Sequence, residues 1–180
     1  QGGVSIPILS ESYRRILAEE ARMYSYVKQD EVVGKAKVRE ELSSTKTFFS
    51  GSLFFRLQKD FEAAWKEGLE KARIASPFDT PLSFNEFSLQ RYEAGSIGIT
   101  PHMDGASLRN LVCVFCLTGK ARFALCDDRS GANPRDLSTA PGNVIILRAS
   151  GFMKSDIRQF HFVSNVTEEM IVIGMRQKET

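Results

Sequence analysis

The sequence predicts an α+β protein, with a helical first half packed against a β-rich second half. Two rhythms carry that prediction. Apolar residues recur at helical spacing up to about residue 75, and from Ser83 they alternate with a period of two between frequent turns. A third observation marks the β half as the seat of chemistry. The stretch Ile97-Gly98-Ile99-Thr100-Pro101-His102-Met103-Asp104 reads as a strand ending in His-x-Asp. Side chains alternate faces along a strand, so His102 and Asp104 share one face.

The first helix starts after Ser10, whose hydroxyl can cap it. Tyr13, Ile16, Leu17, Ala21, Tyr24 and Val27 form its apolar face. The charged stretch from Gln29 to Thr47 reads as a second helix or a mobile segment. Leu53, Leu57, Phe61, Trp65 and Leu69 mark an amphipathic helix ending near Ala75, stopped by Ser76-Pro77 and Thr80-Pro81. Both apolar faces suit docking on a sheet.

The strands follow in order. Residues 87–92 alternate, and Glu93-Ala94-Gly95-Ser96 turns into the His-x-Asp strand. An apolar strand spans 110–117. Thr118-Gly119-Lys120 turns into a strand over 122–126. A polar loop, the turn Ala140-Pro141-Gly142-Asn143 and a buried strand Val144–Arg148 come next. Ile157–Val163 carries His161, and Met170–Gln177 closes the chain. Short, closely spaced strands after a helical block suggest a barrel or sandwich buttressed by helices. The expected organisation is one domain, with 1–80 mainly helical and 81–180 forming the core.

Bulk properties exclude little. The 180 residues carry a net charge of +2, which neither demands nucleic acid nor forbids it. No apolar run reaches the roughly 20 residues of a membrane span, and no signal-peptide pattern opens the chain, so a cytoplasmic location is expected. Three cysteines argue against a disulfide framework. Cys113 and Cys116 form a CxxC, but inside a continuous apolar strand, where positions three apart face opposite sides. They read as core.

The chain has two histidines, His102 and His161. Two imidazoles and one carboxylate on a β scaffold make the facial triad that suits Fe(II) and leaves positions open for oxygen and a cosubstrate. A structural zinc would want a fourth ligand. The metal ligands, and with them the catalytic centre, are therefore expected to be His102, Asp104 and His161.

Other stretches resemble a family. Gln90-Arg91-Tyr92-Glu93-Ala94-Gly95 looks like the Asn-Arg-Tyr-x-x-Gly of AlkB-like proteins. Ala140-Pro141-Gly142-Asn143-Val144-Ile145 looks like their turn into the later core strands, and Gly174-Met175-Arg176-Gln177 like their closing Phe-Arg-Gln. Over residues 84–177 the chain thus resembles the 2-oxoglutarate/Fe(II)-dependent dioxygenases, nearest to the AlkB-like branch. The resemblance implies a double-stranded β-helix (jelly-roll) core, Fe(II) and 2-oxoglutarate as cofactor and cosubstrate, and molecular oxygen as oxidant. It implies that Arg176, Gln90 and Tyr92 hold the cosubstrate. Where the family's pattern has the Arg that grips the distal carboxylate, this chain has Met170, and Val172 replaces an Asn. Arg122, or Lys120, is the expected substitute. Gly174 is read as leaving room for a ligand. Arg109, Arg148 and Phe162 are the substrate-side candidates, with Leu108, Asn110 and Phe152 beside them.

The leading functional reading is an oxygenase that hydroxylates a small molecule or amino-acid-like substrate. An AlkB-like nucleic-acid demethylase would need a basic strip. The one local concentration, Lys35, Lys37 and Arg39, runs straight into Glu40-Glu41 and reads as a solvated face. Met170 and Val172 also motivate a ferrous oxygenase that does not use 2-oxoglutarate. A catalytically silent binding module fits poorly with a complete triad. Oligomeric state and substrate identity are left open.

Overall fold

The computed structural model describes residues 2–34 and 37–179. Its elements, in order, are β1 (Gly3–Pro7), α1 (Glu11–Arg22), β2 (Val27–Lys28), β3 (Val32–Val33), β4 (Val38–Glu41), β5 (Ser43–Thr45), α2 (Leu53–Ala72) and β6 (Glu86–Tyr92). There follow β7 (Gly98–His102), β8 (Leu108–Cys126), β9 (Arg135–Leu137), β10 (Asn143–Arg148), a 3-10 turn (Phe152–Lys154) and β11 (Phe160–Lys178).

All the pairings between named strands are antiparallel. The long strands β8 and β11 each run through two layers. Leu108–Thr118 pairs with Ile171–Lys178, and Arg122–Cys126 with Phe160–Ser164. The first pairing sits in the order β1-β10-β8-β11-β6-β5-β2. The second is extended by β9 on one side and by β7 and β4 on the other. This is the two-layered arrangement expected of a jelly roll.

The expected turn at 118–120, and the break expected between the strands carrying His161 and Met170, are bends inside continuous strands. Gly119 has φ +76°, and a Cβ there would overlap the Glu169 carbonyl oxygen of β11. Chain direction therefore persists through Thr118-Gly119-Lys120 while the strand changes layer. Asn165, with φ +48°, makes the matching corner in β11.

The expectation that 1–80 is mainly helical is corrected. Two helices of 12 and 20 residues are present, but five short strands share the segment. Residues 29–47, read as a helix or mobile segment, supply β3, β4 and β5. Their charges hide a sheet edge: β4 pairs with β7 and β5 with β6, so main-chain bonds to distant strands override the local pattern. Lys35 of the basic group lies outside the described residues.

Ser10 caps α1 as expected, its hydroxyl accepting from Tyr13 N–H at 3.3 Å. Leu17, Ala18 and Ala21 are buried, whereas Ile16 is exposed. α2 stops at Ala72, three residues before the expected end. Arg73 turns left-handed there, and its N–H bonds the Leu69 and Glu70 carbonyls. Glu20 joins the helices, accepting from Ser52 Oγ at 2.6 Å and Leu53 N–H at 3.0 Å.

Alternation divides the core in two. Leu111, Cys113, Phe115, Leu117, Ile171, Ile173 and Met175 pack under the helices. Val112, Cys116, Ile145, Leu147, Met170 and Val172 face inward between the layers. Cys113 and Cys116 fall on opposite sides, free and buried. Burial pushes the Cys116 thiol up to about 12, so neither redox nor zinc chemistry is served. No helix among the described residues is long and apolar enough to cross a membrane.

Candidate metal centre and cosubstrate cavity

β7 and β11 lie side by side with His102 opposite His161. The ladder brings the two imidazoles together, with ring centroids 4.3 Å apart. Asp104, two residues past His102, returns to the same face, and its Oδ2 lies 3.8 Å from His161 Nε2. One donor atom from each of the three falls within 4.8 Å of the others. Among the described residues this is the one such cluster.

The rings are held in the tautomer a metal needs. His102 Nδ1 lies 2.9 Å from the Thr100 carbonyl and His161 Nδ1 lies 3.1 Å from that of Gln159. A carbonyl can only accept, so each Nδ1 donates to it and each Nε2 is the nitrogen left to face the cluster. Phe123 stacks on His161 at 5.4 Å and fixes its plane. Arg158 donates to the Asp104 carbonyl at 2.6 Å, pinning the ligand loop. Two imidazole nitrogens and a carboxylate, converging and deprotonated, fit Fe(II).

Electrostatics acts on His102 and Asp104. Burial, helped by the neighbouring His161, pushes the His102 imidazole down to about 4 from its ordinary 6.5. Burial alone would raise the Asp104 carboxyl, but His161, Arg176, His102 and Arg158 together outweigh it and hold it below the usual range. Between pH 6.5 and about 4 the unfolded chain therefore binds a proton on His102 that the folded chain refuses. Metal-free protein is expected to lose stability as pH falls through that window, and Asp104 adds a loss of the same sign below its unfolded value. Thermal melts across pH 4 to 7 check this. His102→Gln should flatten the upper part of the slope.

Beside the triad lies a narrow cavity of about 40 Å³, room for about three waters. Gln90, Tyr92 and Arg176 line it, as do Met170, Val172 and Cys116. Tyr92 sits opposite Met170, and Gln90 opposite Val172. Tyr92 Oη bonds Gln90 Oε1 at 3.4 Å, and burial drives the phenol far up, so it stays protonated. Arg176 reaches the cavity by folding over Gly174. A Cβ at Gly174 would stand 2.9 Å from Arg176 Nη1. The space expected for a ligand at Gly174 is thus taken by the guanidinium itself.

Other sequence candidates lie elsewhere. Arg122 neighbours Phe123 in β8, and the pleat turns it to the opposite face. It pairs with Asp136 at 2.9 Å and stacks over Phe162. Lys120 is also outside the cavity, beside Arg122 in an open surface cleft. Phe162, next to His161, is turned outward by the same alternation and packs with Ala124 and Cys126. Arg109 pairs with Glu179 and Asp156. Asn110 bonds Gln177 at 2.8 Å, and Phe152 packs on Phe78. Arg148 stacks over Phe152 and shares a closed crevice with Asp104 and Arg158, away from the main cavity.

A polar cleft of about 320 Å³ opens from Gln90, Asp104 and Arg176 toward Glu40, Lys46, Glu86 and Lys178, with Leu108 on its wall. Sequence reasoning missed this cleft, along with Arg158 and the Thr100 and Gln159 carbonyls. A backbone carbonyl carries no residue signature, and the cleft is assembled from β4, β5, β6 and β11.

No protein-family model matches the sequence, and no curated protein sequence matches it. Solved structures do. The chain matches a Pseudomonas putida prolyl-4-hydroxylase with a TM-score of 0.67 at 12% identity, over 99% of this chain and 93% of that one. It matches the viral collagen prolyl hydroxylase of Paramecium Bursaria Chlorella virus-1, in a 2-oxoglutarate complex, at 0.64 and 12%, over 100% and 97%. It matches OsALKBH1 at 0.61 and 21%, over 98% and 98%. The chain has the fold of these proteins, and the expected link to the 2-oxoglutarate/Fe(II) oxygenases and to an AlkB homologue is borne out at that level.

Proposed function

We propose that this protein is a non-haem Fe(II), 2-oxoglutarate-dependent oxygenase that hydroxylates a small, amino-acid-like substrate. The observation that carries the reading is the convergence of His102, Asp104 and His161 beside a closed cavity into which Arg176 presents a guanidinium. That side chain has no hydrogen-bond partner among the described residues.

Fe(II) with a 2-oxoacid would supply oxygen-dependent oxidation of a C–H bond coupled to decarboxylation of the 2-oxoacid. The chain's own part is positioning. Arg176 offers a bidentate grip to a carboxylate. Gln90 supplies a neutral amide donor, and Tyr92 Oη donates to the Gln90 oxygen and so orients that amide. Cys116, Val172 and Phe123 keep the cavity dry, and that strengthens each polar contact within it. The adjoining cleft carries both signs, Glu40 and Lys46 beside the Lys178–Glu86 ion pair at 3.6 Å. This suits a zwitterionic substrate and disfavours a phosphate backbone, which wants an uninterrupted basic strip.

The test is titration of anaerobic Fe(II)-loaded protein with 2-oxoglutarate, following the weak visible band of a 2-oxoacid chelated to ferrous iron. A saturable band is expected, weakened at least about tenfold in Arg176→Ala, a loss of about 1.4 kcal/mol. Iron bound without a band would overturn the use of 2-oxoglutarate.

A further inference from the structure

The cavity's polar groups are unevenly placed. Arg176 lies over Gly174, and Asp104 and His102 feel its charge. Met170 is four residues before Gly174 on the same strand face, the direction in which Arg176 folds back. Around Met170 the lining is Val172, Cys116, Phe123 and Ile145. No cationic residue other than Arg176 lines the cavity.

The polar atoms near that end are neutral and partly committed. Thr139 Oγ donates its proton to the Ala121 carbonyl at 2.7 Å, so it has none for a carboxylate. Tyr92 Oη likewise directs its one proton to Gln90 Oε1 at 3.4 Å. Arg122, the sequence's substitute cation, is outside and ion-paired. A carboxylate placed here would lose its water and gain no counter-charge.

Resting on the oxygenase reading above, we propose that the cosubstrate site prefers a 2-oxoacid with a short apolar tail over 2-oxoglutarate, and that Met170 sets this preference. The acid head takes Arg176, Gln90 and the metal side of the cavity. The tail lies against Met170, Val172 and Phe123, where burial of hydrocarbon is favourable and a second carboxylate is not. Met170 contributes an adaptable thioether wall.

The experiment titrates anaerobic Fe(II)-loaded protein in parallel with 4-methyl-2-oxopentanoate and 2-oxoglutarate, reading the visible band and, independently, the heat of binding. The branched acid is expected to bind about tenfold or more tighter. Met170→Arg should reverse the order, bringing 2-oxoglutarate ahead, with iron content unchanged. Tighter binding of 2-oxoglutarate by the parent protein would overturn the preference and leave the oxygenase reading intact. A folded Met170→Arg variant that gains nothing for 2-oxoglutarate would overturn the role of Met170. Iron bound with no response to either acid would overturn both readings together.

Discussion

Replacing His102 and Asp104 together by alanine is expected to abolish Fe(II) uptake while the chain stays folded. Two of the three donors within 4.8 Å of one another are removed. Loss of one outer hydrogen-bond partner of a metal ligand already costs about 10- to 100-fold in affinity, so the double change should exceed about a hundredfold. Stability of the metal-free protein should change modestly. The Asp104 carboxylate, held below its usual range by its neighbours, contributes stability at neutral pH that the variant loses. The variant should melt slightly below the metal-free parent at pH 7, and the difference should shrink as pH falls. Metal analysis after anaerobic loading, with a melt of the same sample, reads both. Undiminished iron uptake would remove His102 and Asp104 from the site.

Gly98→Ala is expected to damage fold and site together. Gly98 begins β7 with φ +76°, and a Cβ there would overlap the Val163 carbonyl of β11. An L-residue in that conformation costs about 1 kcal/mol, and forcing backbone apart adds about 1–3 kcal/mol. The expected destabilisation is about 3 kcal/mol. The strand that shifts carries His102 at its far end, opposite His161, so iron affinity should fall as well. Gly95→Ala is the control: φ is +87° but no atom lies within 4 Å of its Cβ. It should cost about 1 kcal/mol and leave iron binding untouched. Denaturant melts and iron titration of both variants separate steric overlap from strain alone.

The site was legible in proportion to how local its signals are. His-x-Asp works through strand alternation, a two-residue rule, and the only other histidine is the third candidate donor. The same alternation assigned Gln90 with Tyr92, and Met170 with Val172 and Arg176, to single faces that the cavity shares. Cations were harder. The resemblance points to Arg176, and Arg122 reads as the substitute for the Arg missing at Met170. The pleat sends Arg122 outward to Asp136, and the glycine two residues before Arg176 lets it fold inward.

The helical half was misread for a related reason. Ser10 announces α1 through a contact with its own first turn, and α2 is marked by its own apolar spacing. Residues 29–47 carry no comparable signal: their local pairings, β3 with β4 and β5 with β2, are short, and β4 and β5 reach β7 and β6 more than forty positions away. Likewise, Gly119 reads as a turn until β11 crosses it and makes it a bend.

By itself, then, the sequence pointed to the candidate donor set, to the shared faces of Gln90 with Tyr92 and of Met170 with Val172 and Arg176, and to the chemical class those donors suit, since all three follow from residue identity and nearest-neighbour geometry. Tertiary structure alone decided which cation enters the cavity, that its other end is hydrocarbon, and that a charged edge segment closes the sheet. Those outcomes depend on register between β6, β7, β8 and β11, and register is set by the summed packing of residues far apart in the chain.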